Sequence, residues 1–212
     1  MCIGSSTSRA DKAAEFVIAC PSPALDITND GAAVKVTPEA SLQTLLAPRA
    51  SEFEIIKFRD AALAVSRDRG ATVSVYSGHD VAVVFVGHLE NTQYLHDKYS
   101  DPASAPSAET FSEAQAVALA YKARKYSFLS SLRGEYSFIL YDLECGNAFA
   151  ARDAVGKFPL FQSRDKTGGL VISSMAFEES GTDLVEVVPG NFIFGRKPGR
   201  NMHKVSFFFH PL

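Results

Sequence analysis

The chain has no tryptophan, and only three cysteines and three methionines in 212 residues. Cys2, Cys20 and Cys145 stand too far apart and too irregularly for a disulfide framework or a zinc site, which points to a reducing, intracellular compartment. The five histidines (His79, His88, His96, His203 and His210) form no H-E-x-x-H and no Cys/His cluster, so no metal is expected. Glycine-rich phosphate loops of the P-loop or Rossmann type are missing, as is a G-x-S-x-G elbow, and nothing calls for a cofactor. No apolar run approaches the ~20 residues that span a bilayer, and the N-terminus lacks the apolar region of a secretion signal. A glycine at position 4 instead of 2 argues against N-myristoylation. The cytoplasm is the expected compartment, with the nucleus left open. Neither sign of charge is in excess: 21 Lys and Arg face 24 Asp and Glu, a net −3 that leaves no footprint for nucleic acid.

What the chain does contain is apolar bulk. Hydrophobic residues make up 46% of it, with 16 Phe, enough to build a sizeable core. There is no internal repeat, no long linker and no second composition regime. The expected organisation is a flexible polar tail over residues 1–14 and one domain over residues 15–212.

Periodicity predicts a buried strand at Phe16–Cys20, stopped by Pro21 and Pro23, and a loop over residues 21–36. Thr37-Pro38-Glu39 reads as an N-cap followed by proline at the first helical position, opening a short helix to Leu46. Short strands follow at Phe53–Phe58, Ala62–Ser66, Thr72–Tyr76 and Val81–Val86. The last is apolar throughout, as a strand covered on both faces would be, and Gly87 is expected to end it. Helices are predicted over Asn91–Tyr99 and from a Ser112 cap to about Tyr126, with Glu113 in the first turn. Further strands are expected at Tyr136–Asp142, Ala148–Arg152, Phe158–Ser163, Leu170–Ser174, Val185–Arg196 and Val205–Phe209. Phe207-Phe208-Phe209 fits a final sheet strand better than an exposed docking patch.

Three blocks carry a resemblance. Leu132–Phe161 runs strand, tight turn, strand, an Ala151-Arg152-Asp153 corner and Gly156-Lys157-Phe158-Pro159-Leu160-Phe161. Phe85-Val86-Gly87-His88-Leu89-Glu90-Asn91 and Val188-Pro189-Gly190-Asn191 are the other two. Together they resemble class II glutamine amidotransferase domains, whose N-terminal cysteine cuts the side-chain amide of glutamine. Gly87-His88-Leu89-Glu90-Asn91, Lys98-Tyr99 and the ending Phe209-His210-Pro211-Leu212 are similar to the plant aluminium-induced, stem-specific branch, although that branch's Tyr-Gly-Leu and Leu-Arg-Asp-Arg motifs are not reproduced. The resemblance implies an α+β fold, a four-layer αββα sandwich of the N-terminal-nucleophile hydrolase type. It also implies that Arg152-Asp153 is a structural corner, with Gly156 and Pro159 setting turns.

The same resemblance implies a thiol at the mature N-terminus with its own amine as base, an oxyanion hole, an acid for the substrate ammonium and an arginine for its carboxylate. Cys2 would be the nucleophile after removal of Met1. Yet polar residues separate it from the first strand, and if Phe16–Cys20 is the family's first strand the nucleophile slot falls near Glu15. Gly87 and Asn91 are the remaining oxyanion-pocket residues, while Val86 stands where the family has a donor asparagine. Loss of one such donor costs about 10²–10³ in rate. Glu113 replaces the ammonium-binding aspartate, and Ala62 the substrate arginine. Arg59 is out of register and suits a surface ion pair; Cys20 reads as a buried small hydrophobe, and Cys145 as an exposed turn thiol.

Two functions stay open on these residues. One is a catalytically degenerate amidotransferase-like domain acting by binding or regulation in a stress-linked setting, as a homodimer or with a protein partner. The alternative is an active glutamine amidohydrolase that uses Cys2, with no synthase domain to receive ammonia before the chain ends at Leu212. A small amino-acid ligand in the old glutamine pocket fits either.

Overall fold

The computed structural model describes residues 15–20, 26–27, 33–34, 37–68, 72–100, 111–165, 168–176, 184–196 and 203–206. Its strands are β1 (Phe16–Cys20), β2 (Asp26–Ile27), β3 (Ala33–Val34), β4 (Phe53–Lys57), β5 (Ala62–Ser66), β6 (Val73–Ser77) and β7 (Val81–Leu89). They continue as β8 (Gly134–Asp142), β9 (Asn147–Arg152), β10 (Phe161–Arg164), β11 (Leu170–Ser173), β12 (Val185–Glu186), β13 (Asn191–Arg196) and β14 (His203–Ser206). The α-helices are α1 (Pro38–Leu45), α2 (Thr92–Tyr99) and α3 (Glu113–Arg124), with 3-10 segments at Ala47–Glu52 and Lys125–Ser131.

Two six-stranded antiparallel sheets carry the fold, ordered β12-β10-β11-β1-β5-β4 and β14-β13-β9-β8-β7-β6, with β2 and β3 pairing on their own. Alternation along each strand decides what fills the layers. Phe16, Ile18, Leu63 and Val65 of the first sheet meet Val84, Val86 and Ile139 of the second in the central core. The intervening residues point outward. Val17, Ala19, Ala62 and Ala64 pack beneath Leu42 of α1, and Phe85, Phe138 and Phe149 pack beneath Val117 and Tyr121 of α3 and Phe128. The order is therefore α1, sheet, sheet, α2 with α3: the expected αββα sandwich. Each fully buried large side chain contributes about 1.5–3 kcal/mol, and the stacked and tilted rings of Phe85, Tyr136, Phe138 and Phe149 concentrate that term under α3.

Polar pins fix the helices to the sheets. Thr37 caps α1 by accepting from the Ala40 amide, and Ser112 caps α3 by accepting from the Gln115 amide. The Ser41 hydroxyl donates to Asp165 at 2.8 Å, tying α1 to the β10–β11 turn. The Tyr121 hydroxyl donates to Asp142 at 2.8 Å, tying α3 to the end of β8. That hydroxyl is pushed well above the usual tyrosine range, first by burial and then by its bond to the Asp142 carboxylate.

Most elements lie where periodicity placed them, and the departures have causes. Gly87 does not end β7. The strand runs on to Leu89, because the backbone at Gly87 takes φ +130° and lets β8 approach so closely that a Cβ would lie 2.1 Å from the Glu135 carbonyl oxygen. The stretch read as loop contains β2 and β3. The run expected as one strand over Val185–Arg196 breaks at Pro189-Gly190 into β12 and β13, which belong to different sheets. β10 starts at Phe161 instead of Phe158, after Pro159, whose missing N–H cannot serve a ladder. The final strand is His203–Ser206, while Phe207-Phe208-Phe209 lies outside the described residues, as does the polar tail.

Candidate functional site

The Arg152-Asp153 corner is a densely bonded polar feature. Asp153 accepts from the amides of Tyr136 (2.9 Å), Val155 (2.7 Å) and Gly156 (3.0 Å), and its own amide donates to the Tyr136 carbonyl. Arg152 donates to Glu186 (2.6 Å), to the Val187 carbonyl (3.0 Å) and to the Gly156 carbonyl. Gly156 sits at φ +73° with Pro189 where a Cβ would be, so the corner clamps the break between β12 and β13. These residues build the scaffold, as the resemblance implied.

Two of the residues expected to line the oxyanion pocket, Gly87 and Asn91, make hydrogen bonds within the fold. The Gly87 amide, the surviving oxyanion donor in the sequence reading, donates to the Thr72 carbonyl at 2.8 Å. Val86 packs in the central core between the sheets. Both ends of the Asn91 amide are committed to one loop: it donates to the Ser131 carbonyl (2.9 Å) and accepts from the Arg133 amide (3.1 Å). Asn91 thus links the start of α2 to the entry of β8, a scaffolding role that its place in the resemblance did not reveal.

Glu113 stands in the first turn of α3, as expected, and its carboxylate lies 3.5 Å from His88 Nδ1. His88 extends from β7, just past Gly87, so these two residues and Gly87 occupy one end of the second sheet. Ala62 is fully buried under α1, on the opposite face of the first sheet from the central core. A guanidinium reaching from that position would enter the α1 layer, away from Gly87. Arg59 lies exposed at the turn between β4 and β5.

The structure bears on the slot at the head of β1 as well. Phe16 starts a central strand, its amide bonded to the Ser174 hydroxyl at 2.9 Å. Glu15 precedes it, with its carboxylate paired to Arg49, which also bonds Glu52 at 2.8 Å. The two carboxylates, Glu52 first, hold the Arg49 proton more firmly than usual. Cys2 lies outside the described residues. Cys20 is buried, and its thiol is pushed up to about 12, by burial first and then by the Asp165 and Asp60 carboxylates, so it is no nucleophile at neutral pH. Cys145 is exposed in the β8–β9 turn. Both match the sequence reading.

Sequence reasoning missed Arg49, whose pairing with Glu15 fills the corner at the head of β1. It also missed the gathering of Lys98, Arg124 and Arg133 around one cleft. No local pattern links those three, which meet only where α2, α3 and the entry to β8 converge. Among the described residues no group of three or more His, Cys, Asp or Glu is placed to hold a metal ion. Among them also, no helix is long and apolar enough to cross a membrane.

Comparison with known proteins places this geometry. Residues 58–194 match the model of the glutamine amidotransferase domain family, and the chain belongs to that family. It is 26% identical over 113 residues to a probable glutamine-hydrolysing asparagine synthetase of Dictyostelium discoideum, covering 52% of this chain and 20% of that protein. Among solved structures it resembles glutamine phosphoribosylpyrophosphate amidotransferase from B. subtilis, with TM-score 0.56 and 18% identity over 92% of this chain and 43% of that one. A glutamine aminotransferase class-II domain protein from Silicibacter pomeroyi gives TM-score 0.54 and 12% identity, over 91% of this chain and 99% of the other. At such identities the structural likeness shows the fold alone, that of the N-terminal-nucleophile hydrolases. The chain spans a fifth of the asparagine synthetase and under half of the amidotransferase.

Proposed function

We propose that this chain is a glutamine amidotransferase domain that has lost glutamine hydrolysis and acts by binding. The supporting observation is the Gly87 amide bonded to Thr72, beside a valine buried where the family has a donor side chain. A tetrahedral oxyanion needs donors that are free when charge develops, and both positions serve the fold. Ala62 under α1, and Glu15 bound to Arg49 at the slot inferred for the nucleophile, support the same reading. In this reading residues 15–212 act as one unit behind a tail of residues 1–14, in the cytoplasm. The unit regulates as a homodimer or through a protein partner, in the manner of the plant aluminium-induced group that the sequence resembles.

Membership of the family and a cysteine directly after Met1 favour a second reading, an active amidohydrolase that uses Cys2. One experiment separates the two. N-terminal mass spectrometry of the purified chain establishes whether Met1 is removed, and ammonia release from glutamine is then followed for wild type and Cys2→Ala. No release above background from either is expected; release that depends on Cys2 would replace the first reading with the second. A thermal-shift series with glutamine and other amino acids asks whether the old pocket still binds, since a ligand at 100 times its Kd adds about 2.7 kcal/mol of stability.

A further inference from the structure

Three cations meet at one end of the outer helix layer. Lys98 lies in the last turn of α2, Arg124 closes α3, and Arg133 precedes β8. With Asn91, Tyr94 and Ser131 they line a cleft of about 500 Å3, within the range of about 300–1,000 Å3 usual for small-molecule sites. Among the described residues no carboxylate lines it. Among the described residues, none lies within ion-pair distance of any of the three.

Basic side chains at helix C-termini ordinarily offset the helix dipole, which accounts for part of this arrangement. The charges do not cancel, however. Two helix ends supply roughly −0.5 each against three full positive charges, leaving the cleft near +2. Lys98 is held in place: its ammonium donates to the Tyr94 hydroxyl at 2.7 Å and lies 5.0 Å and 5.5 Å from the ring centres of Tyr94 and Tyr99. The buried Tyr99 hydroxyl registers the field. Burial alone would raise it, but the Arg124 and Lys98 charges hold it below the usual tyrosine range. The neutral groups are largely committed: Asn91 donates to the Ser131 carbonyl, and the Ser130 and Ser131 hydroxyls donate to the Ser127 and Phe128 carbonyls. Recognition here therefore falls to the cations and the Tyr94 hydroxyl.

We propose that this cleft binds a small phosphorylated molecule, with the Arg124 and Arg133 guanidiniums on the phosphate oxygens and Lys98 completing the cradle. Guanidinium forks pair with phosphate through two parallel hydrogen bonds, and a group of charge −2 or more matches the surplus that the cleft carries. The cleft touches the inferred glutamine pocket only through Asn91, whose amide is bonded to Ser131 and Arg133, and the proposal stands whether or not glutamine is hydrolysed.

The test is calorimetric titration of the full chain with inorganic pyrophosphate at physiological ionic strength. Saturable binding is expected, and Arg124→Gln with Arg133→Gln together should weaken it about tenfold or more, since hydrogen bonds to charged groups are the strong ones. A control Lys57→Gln, remote from the cleft, should bind as wild type. All three cations are exposed, so folding should survive; should the double variant lose its melting transition, Lys98→Gln alone must still weaken binding. A sedimentation arm with phosphatidic acid vesicles distinguishes a lipid headgroup from a free phosphate ester. Absence of saturable binding at millimolar pyrophosphate, equal binding by the variants, or binding to vesicles alone would each overturn the proposal.

Discussion

The amide of Gly87 donates to the carbonyl of Thr72 at 2.8 Å. This bond carries the β6–β7 ladder one residue past the Val73–Val86 pair, in the region where a glutamine-hydrolysing domain would keep donors for an oxyanion. Glycine is needed at that point for steric reasons independent of catalysis. Gly87 splices three strands.

Gly87→Ala should therefore be among the most damaging single changes in the chain. The residue would have to hold φ +130° with its Cβ 2.1 Å from the Glu135 carbonyl oxygen. A loss of at least about 3 kcal/mol is expected, combining backbone strain with displacement of β8. Gly146→Ala provides the comparison: it shares positive φ (+66°), but its nearest neighbour is the Tyr141 hydroxyl at 3.7 Å. It should cost only about 1–2 kcal/mol. Urea unfolding of the two variants checks the contrast, and equal losses would mean that the close approach of β8 is not the cause.

Asp153→Ala removes one acceptor from three amides at once, those of Tyr136, Val155 and Gly156. The buried Tyr136 amide left without a partner costs about 1–3 kcal/mol; the part-buried amides of Val155 and Gly156 cost less, so a total of about 2–5 kcal/mol is expected. Asp153→Asn, which keeps one carbonyl oxygen, should lose less. Amide exchange gives a second readout, because Val155 and Gly156 should lose protection locally in the alanine variant. Unchanged protection there would contradict the corner's assigned role.

Stability should fall in alkali, and Cys20 should start the decline. Its thiol moves from an ordinary 9.0 up to about 12 in the folded chain, so above pH 9 the unfolded chain gives up a proton that the folded chain retains. The unfolded state then binds fewer protons and stability drops as pH rises, by up to about 1.4 kcal/mol per pH unit for one such group. Tyr121, Tyr136 and Tyr141, all raised chiefly by burial, add to the slope beyond pH 10. Chemical denaturation from pH 7 to 11 should show this, and Cys20→Ala should flatten the portion between pH 9 and 10. A wild-type midpoint that stays constant to pH 11 would contradict it.

The sequence by itself determined most of the strands, the helix caps and the family. The all-apolar run Val81–Val86, the Thr37 and Ser112 caps and the Ala151-Arg152-Asp153 corner are local patterns that backbone and side-chain chemistry impose over a few residues, and such patterns survive translation into structure. The expected corner is present. Tertiary structure alone decided which partners the candidate site residues bond. Whether the Gly87 amide is free depends on Thr72, the partners of Asn91 lie at positions 131 and 133, and the partner of Glu15 is Arg49. The cleft of Lys98, Arg124 and Arg133 likewise comes from three segments. Hydrogen bonds and charge fields act over a few ångströms of space, and only the packing of sheets and helices determines which distant residues share that space.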